Sequence, residues 1–110
     1  MLMSDLIIIP ARAGSVRVKN KNIRKIKNKP LIFWTIDFAK KLRKSIPNLE
    51  IIVSTDCPKI KKISRLMSVK FIDRPKNLAT SKANVYNAIK HVLKNIENSK
   101  RFEFVILLQP

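Results

Sequence analysis

A short polar segment near the start of the sequence has the residue types that hold a phosphate ligand. Gly14, the only glycine in the chain, lies two positions after Arg12 and shortly after the apolar run at residues 6–9. Because glycine has no Cβ, the backbone at this point can approach a bound anion closely. Residues 10–22 carry several cations, among them Arg12 and Lys21, and no carboxylate, which favours an anionic ligand.

The segment matches neither of the two common glycine-rich phosphate motifs. A single glycine cannot supply the spacing Gly-x-x-x-x-Gly-Lys-Ser/Thr or the spacing Gly-x-Gly-x-x-Gly. The residues instead indicate a basic loop in which Arg12 and Lys21 neutralise a triphosphate while the backbone amides of Gly14 and Ser15 contact it. The same composition is also typical of a solvent-exposed lysine-rich loop with a turn glycine, so charge and position leave both interpretations open.

The hydrophobic pattern predicts an alternation of strands and helices that would position this loop. Apolar runs predict strands at residues 5–10, 50–54, 69–72 and 102–108, and residues 11–29 are predicted to be a loop. Apolar residues at steps of three and four predict three helices, whose inner faces are Leu31, Trp34, Phe38, Ala39 and Leu42, then Ile60, Ile63 and Met67, then Val85, Ala88, Ile89, Val92, Leu93 and Ile96. This order predicts an α/β fold, with a parallel sheet, right-handed crossovers and flanking helices.

Local signals predict where the second and third helices begin and where a ligand would lie. Thr55 or Asp56 is predicted to cap the second helix, and Thr80 with Ser81 the third. A parallel sheet binds ligands beyond the carboxyl ends of its strands, here residues 10–22, 54–56, 73–75 and 109–110. Because the last strand is followed by no covering helix, we expect residues 1–110 to be a single, incomplete domain.

Composition narrows the class of protein. The chain has 110 residues, of which 45% are hydrophobic and 28% charged, a balance typical of one globular domain. No apolar run is long enough for a membrane span and the N-terminus lacks a basic start, so we expect a cytoplasmic protein. One cysteine, Cys57, excludes an internal disulfide framework, and one histidine, His91, excludes a His/Cys metal cluster.

The net charge of +17 leaves a second function class open. Such a charge favours a polyanionic partner, and a small basic module that binds nucleic acid is the alternative interpretation. The lysines and arginines are, however, spread over every segment, whereas nucleic-acid-binding proteins usually concentrate them on one face or arm.

Several motifs, taken in order, resemble the acylneuraminate cytidylyltransferases, also called CMP-sialic acid synthetases. The string Ile-Ile-Pro-Ala-Arg-x-Gly-Ser at residues 8–15, followed by Lys21 and Asn22, is similar to the N-terminal signature of that family. Further similar motifs are Lys-Pro-Leu-Ile at 29–32, Val-Ser-Thr-Asp at 53–56, Asp-Arg-Pro at 73–75, Leu-Ala-Thr at 78–80 and Leu-Leu-Gln-Pro at 107–110. The resemblance covers nearly the whole chain.

The resemblance implies a partial Rossmann-like nucleotidyltransferase fold, truncated after the fourth strand, and a reaction of CTP with a sialic acid-like sugar. In that reaction the anomeric hydroxyl attacks the α-phosphorus, giving a CMP-sugar and pyrophosphate in the presence of Mg²⁺. By motif, the nucleotide loop would contain Arg12, Gly14, Ser15, Lys21 and Asn22, with Arg12 and Lys21 as catalytic residues. The resemblance also implies that Arg74 and Gln109 bind substrate and that a homodimer can form.

Three departures from the family pattern lower the expected activity. Val16 stands where the family usually has a lysine, and the stretch from Ser81 lacks the usual aspartate and small hydroxyl residues. The paired aspartates that bind the metal in the family have no counterpart in this sequence, and we interpret Asp56 and Asp73 as structural. We therefore expect a truncated form that is weakly active or inactive.

Overall fold

The computed structural model describes residues 4–12, 23–75, 85–96 and 102–110. Within these ranges the strands are β1 (Ser4–Pro10), β2 (Lys25–Ile26), β3 (Lys29–Pro30), β4 (Leu49–Thr55), β5 (Lys70–Asp73) and β6 (Phe102–Leu107). The helices are α1 (Leu31–Ser45), α2 (Pro58–Leu66) and α3 (Val85–Asn95).

Four of the strands form one parallel sheet in the order β5-β4-β1-β6. The register of β1 with β4 runs from Asp5 opposite Leu49 to Pro10 opposite Ser54. The crossovers between these strands contain α1, α2 and α3 in turn. The predicted α/β fold with a parallel sheet and flanking helices is therefore confirmed, and each predicted strand is present to within one or two residues.

The central strand β1 is buried on both faces of the sheet. On one face Ile7 and Ile9 belong to the core cluster that contains the buried side chains of α1 and α2. On the other face Leu6 and Ile8 pack with Val92 of α3. Full burial of each such side chain is worth about 1.5–3 kcal/mol, so β1 is held firmly at the point from which the basic segment continues.

A short antiparallel hairpin of β2 and β3 precedes α1, where the sequence pattern predicts only a loop. Its turn residues Lys27 and Asn28 have φ angles of 50° and 66°. Two positive φ values in a two-residue turn are typical of type I′ hairpins, which usually contain Asn-Gly. Lysine in the first position removes that signal, which is why the hairpin was not predicted.

The buried face of α1 agrees with the predicted one only in part, since Ala39 is buried and Leu42 packs against the core. The residues of α1 that are buried are Ile32, Ile36 and Ala39. Trp34 and Phe38, predicted to face the core, are instead 38% and 52% exposed. The indole N–H of Trp34 donates to the carbonyl of Ile26 at 2.9 Å, which holds the ring against the hairpin. Two apolar stripes run along this helix, and periodicity alone cannot choose between them.

The start of α2 is also different from the prediction. Its N-cap residue is Cys57, with Pro58 at the first helical position and no side-chain capping hydrogen bond. The predicted capping by Thr55 or Asp56 is therefore wrong. The inner face is confirmed, because Ile60 is buried and Ile63 and Met67 pack against the same core.

The third helix has the predicted inner face. Ala88 and Val92 are buried, and Ile89, Leu93 and Ile96 pack against the cluster on that side of the sheet. The predicted cap at residues 80–81 lies outside the described residues. Among the helices described, none is long and apolar enough to cross a membrane.

Candidate functional site

The four parallel strands end at the same edge of the sheet. Just beyond their carboxyl ends lie Arg12 after β1, Asp56 after β4, Arg74 after β5 and Gln109 after β6. From β1 the sheet extends through β4 and β5 on one side and through β6 on the other. Ligands of open α/β sheets bind at such a point, where the strand order reverses, so this edge is the candidate site.

The hydroxyl of Thr55 ties two of these strand ends together. Thr55 is fully buried, and its Oγ1 donates to the carbonyl of Ala11, the residue before Arg12. The same oxygen accepts the backbone N–H of Cys57 at 3.1 Å. A buried carbonyl and a buried amide are thereby satisfied by one side chain, which fixes the chain as it leaves β1.

Backbone hydrogen bonds continue this connection across the sheet. The N–H of Ala11 donates to the carbonyl of Ser54 at 2.9 Å, and the N–H of Arg74 donates to the carbonyl of Thr55 at 2.9 Å. The residues that follow β1, β4 and β5 are therefore held in one hydrogen-bonded row. Hydrogen bonds within the chain hold this half of the edge, formed by β1, β4 and β5, in place.

Arg74 is a buried cation directly after the outer strand β5. The residue is only 6% exposed, and its Nε is a buried nitrogen without a hydrogen-bond partner among the described residues. Ser54 Oγ, also at this edge, is a second such atom. Buried polar atoms are normally paired, so these two are unsatisfied hydrogen-bonding groups at one edge of the sheet.

The electrostatics of the edge are those of an anion site. Burial lowers the pKa of the Arg74 guanidinium below its ordinary value, the Asp56 carboxylate raises it, and the Arg12 guanidinium lowers it again. The Arg74 guanidinium is therefore repelled by the Arg12 guanidinium and attracted by the Asp56 carboxylate. An anionic ligand would offset the repulsion, and a phosphate suits the planar, multiple donors of arginine.

Gln109 lies on the less enclosed side of the same edge. The N–H of Leu108 donates to the carbonyl of Ile8 at 3.0 Å, so the β1–β6 pairing continues to the residue before Gln109. Gln109 itself is exposed. The structure therefore brings three predicted site residues, Arg12, Arg74 and Gln109, to one edge of the sheet.

The other predicted site residues fall outside the part of the chain that the structure describes. They are Gly14, Ser15, Lys21 and Asn22. The departures at Val16 and from Ser81 to Asn84 also lie outside it. For all of these positions the assignments remain predictions.

The family assignment rests on a match over most of the sequence. Residues 6–109 match the family model described as Cytidylyltransferase. The chain belongs to the cytidylyltransferase family. The matched range includes every strand of the parallel sheet and the predicted site residues from Arg12 to Gln109.

Individual cytidylyltransferases agree with this assignment. The chain is 37% identical to an N-acylneuraminate cytidylyltransferase of Escherichia coli O18:K1:H7, over 96% of this chain and 24% of that protein. It is 39% identical to a CMP-N,N'-diacetyllegionaminic acid synthase of Legionella pneumophila, over 98% of this chain and 46% of that protein. The chain thus spans about a quarter to a half of the length of these relatives.

A solved structure shows the same fold. The structure of CMP:2-keto-3-deoxy-manno-octonic acid synthetase complexed with CTP superposes with a TM-score of 0.71 at 24% identity. The match covers 96% of this chain and 39% of the other. The sheet and its helices are therefore the arrangement found in that synthetase.

The described residues contain no group of three or more His, Cys, Asp or Glu side chains that could hold a metal ion. Of the two acidic residues at the edge, Asp73 pairs with Lys61, and Asp56 acts on Arg74. Proteins usually bind Mg²⁺ through one or two carboxylates together with substrate phosphates, so the Mg²⁺ that the resemblance implies stays a prediction.

Sequence reasoning missed two features of the edge. The sequence predicts Thr55 as a helix cap within a ligand-binding segment, but not that its hydroxyl links the end of β1 to the start of α2. Asp56 was also considered as a cap, although its carboxylate acts on Arg74. The position of Thr55 and Asp56 directly after a buried strand was the available signal, but their partners are distant in sequence.

Proposed function

We propose that this chain binds CTP at the carboxyl edge of its sheet, as the nucleotide-binding part of a CMP-sugar synthetase. The observation that carries the proposal is the buried guanidinium of Arg74, whose Nε has no hydrogen-bond partner among the described residues and whose charge interacts with that of Arg12, the residue beyond β1. The Asp56 carboxylate offsets one of these two positive charges, and a triphosphate would offset the other. The names of the relatives support a cytidine nucleotide as the ligand.

In this proposal some residues contact the nucleotide and others the sugar. Arg12 and Lys21 would neutralise the triphosphate, while Gly14, Ser15 and Asn22 would form the loop around it. Arg74 would contact the nucleotide from β5, and Gln109 would face the sugar from β6. These are the residues named above from the sequence, and Arg12, Arg74 and Gln109 are the three that stand at this edge.

The proposed reaction transfers CMP to a sialic acid-like, nine-carbon acidic sugar. The anomeric oxygen forms a bond to the α-phosphorus of CTP, the bond from that phosphorus to the pyrophosphate oxygen breaks, and the hydroxyl proton passes to water. The protein contributes positioning and neutralisation of phosphate charge. Because Val16 stands where the family usually has a lysine and the sequence lacks the paired aspartates of the family, we propose nucleotide binding with weak or no turnover by these 110 residues.

Calorimetric titration with CTP, with and without MgCl₂, tests the proposal. We expect saturable binding by the wild-type chain and a loss of about tenfold or more in Arg74→Met, because a charge-assisted hydrogen bond contributes about 1.5–3 kcal/mol. Arg43→Met is the matched control, since it removes the same charge from an exposed position in the last turn of α1. Circular dichroism of each variant checks that the fold is kept.

Two results would contradict the proposal. One is the absence of saturable CTP binding by the folded wild-type chain. The other is an equal affinity for CTP in Arg74→Met and Arg43→Met, which would mean that total charge rather than this edge holds the nucleotide.

A nucleic-acid-binding module is the second candidate, and the net charge of +17 favours it. Binding of duplex and single-stranded DNA at increasing salt distinguishes the two functions. Affinity that collapses near physiological salt while CTP binding survives would support the nucleotide site, because counterion release dominates nonspecific DNA binding. Retention of tight DNA binding at that salt would favour the second candidate.

A further inference from the structure

The hairpin of β2 and β3 and the outer side of α1 together form an exposed apolar patch. Ile26 of the hairpin is 50% exposed, Trp34 38% and Phe38 52%. The three residues are neighbours, because the indole N–H of Trp34 donates to the carbonyl of Ile26 at 2.9 Å and Phe38 follows Trp34 by one turn of the helix. We call these three residues the hairpin patch. Contiguous exposed apolar surface marks an interaction site more often than scattered apolar residues do.

A small cleft adjoins the hairpin patch at the start of α1. It has a volume of about 260 Å³ and is lined by Arg24, Lys25, Ile26 and Leu31. Pockets for small-molecule ligands usually have about 300–1,000 Å³, so this cleft has the size for a single side chain rather than for a nucleotide. Its lining suits an apolar side chain that has an acidic neighbour.

The segment that carries the hairpin patch is strongly basic. Residues 24–45 contain eight lysines and arginines and one carboxylate, that of Asp37, which pairs with Lys41 at 3.1 Å. One fifth of the chain therefore contributes seven of its 17 net positive charges. Two copies that met through this surface would each bring the same positive charge, which opposes association. Charge complementarity favours an acidic partner instead.

The aromatic rings of this surface do not form a platform for nucleic-acid bases. The rings of Phe33 and Trp34 meet edge to face, with their centres 5.2 Å apart and their planes at 85°. The ammonium of Lys29 lies 5.1 Å from the centre of the Phe33 ring, over one of its faces. Stacked bases need free ring faces. The indole N–H of Trp34, which at a membrane surface would face the headgroups, already donates to Ile26.

We propose that the hairpin patch is the docking surface for an acidic amphipathic helix of another protein. Strands β2 and β3 have two residues each, which is too short for pairing with an added strand, so a helix fits this surface better. Apolar side chains on one face of that helix would cover Ile26, Trp34 and Phe38, and one of them would enter the cleft. Its acidic side chains would meet Lys25 and Lys27, both of which are exposed.

Trp34 is the only tryptophan of the chain, so its fluorescence reports directly on this surface. The probe is a synthetic peptide of about 18 residues without tryptophan, with leucines at steps of three and four and glutamates and alanines elsewhere. At physiological ionic strength and without CTP, we expect saturable binding and a shift of the Trp34 emission to shorter wavelength. A peptide of the same composition in scrambled order should bind about fivefold more weakly or worse, because it lacks the apolar stripe.

A matched pair of variants separates the hairpin patch from aromatic surface elsewhere. Phe38→Ala should weaken binding about fivefold or more. Tyr86→Ala should leave it unchanged, because Tyr86 lies on α3, on the opposite face of the sheet. Tyr86 is a close match, since it is 65% exposed and the ammonium of Lys90 lies 5.1 Å from its ring centre. Circular dichroism checks that both variants are folded.

A second pair tests the contribution of charge. The double variant Lys25→Gln/Lys27→Gln should weaken binding more than Lys59→Gln/Lys62→Gln does. Lys59 and Lys62 are exposed on α2, so both double variants lower the net charge equally. Equal losses would mean that the total charge, and not the hairpin, attracts the peptide.

Several results would overturn the proposal. They are a lack of saturable binding by the folded wild-type chain, equal binding of the ordered and scrambled peptides, and equal losses in Phe38→Ala and Tyr86→Ala. A dimer of the chain alone that Phe38→Ala dissociates would assign the patch to a second copy. Tighter binding of single-stranded DNA or of phosphatidylserine vesicles, weakened by Phe38→Ala only, would assign it to that partner. Because no CTP is present, none of these results depends on the nucleotide site.

Discussion

The two outer strands of the sheet, β5 and β6, differ in how far other residues cover them. β5 is four residues long, with Lys70 at its start and Asp73 at its end. The guanidinium of Arg65 lies 5.0 Å from the ring centre of Phe71, and Lys61 of α2 pairs with Asp73. β6 is six residues long, largely apolar and exposed along most of its length.

This difference carries over to the two halves of the candidate site. β5 leads into Arg74, which is buried. The backbone N–H of Arg74 donates to the carbonyl of Thr55. β6 leads into Gln109, which is exposed. The half of the site formed by β1, β4 and β5 is therefore enclosed by described residues, and the half next to β6 is more exposed. Three sets of substitutions test this contrast, in order of expected effect.

The largest contrast is expected between the two phenylalanines of the outer strands. Phe71 and Phe104 are both aromatic, but Phe71 packs against the core and Phe104 is 61% exposed. Phe71→Ala should lower the free energy of unfolding by about 2–3 kcal/mol, somewhat less than for a fully buried phenylalanine, and Phe104→Ala by less than about 1 kcal/mol. Urea denaturation followed by circular dichroism measures both. Equal losses would show that β6 is as well covered as β5.

The next effect concerns the Thr55 hydroxyl, which links the residue after β1 to the start of α2. Thr55→Val keeps the shape of the side chain but leaves the carbonyl of Ala11 and the N–H of Cys57 without their partner. We expect a loss of about 1–3 kcal/mol in the same denaturation measurement.

Two matched variants make this test specific. Thr55→Ser should recover most of the loss, because it restores the hydroxyl. Thr35→Val should cost far less, since the Thr35 hydroxyl only approaches the carbonyl of Leu31 at 3.5 Å within α1. Similar losses in Thr55→Val and Thr35→Val would contradict the role assigned to Thr55.

The smallest effect is expected at the ion pair that protects β5. Lys61→Met removes the partner of Asp73, whose side chain is 75% exposed, so the loss should not exceed about 1 kcal/mol and should shrink in high salt. Lys62→Met, at the exposed next position of α2, is the control for the change in net charge. A loss that is unchanged by salt would show that Lys61 acts through packing rather than charge.

Much of the fold could be predicted because local patterns determine it. Runs such as Ile7 to Ile9 predict a strand buried on both faces, and the apolar spacing around Val92 predicts the inner face of α3. The predicted inner face of α1 is wrong at Trp34 and Phe38, because these residues are as apolar as the residues that are buried. The hairpin was missed because Lys27 adopts a positive φ that its side chain does not predict.

The sequence predicts where the candidate site lies but not which hydrogen bonds join its residues. Motif and strand order place Arg12, Arg74 and Gln109 at one edge, and the structure brings them there. The hydrogen bond from Thr55 to Ala11 joins residues 44 positions apart, and such contacts exist only once the sheet has formed. Burial of Arg74 likewise depends on tertiary packing and has no local signal.

We propose that the carboxyl edge of the sheet, rather than the charge of the whole chain, binds the nucleotide. Two-dimensional ¹⁵N–¹H NMR of the labelled chain during a CTP titration tests this proposal residue by residue. We expect the largest chemical-shift changes at the backbone amides of Arg12, Asp56, Arg74 and Gln109, all at that edge. Changes concentrated at the opposite ends of the strands, near Leu49 and Lys70, or spread evenly over the surface lysines, would contradict it.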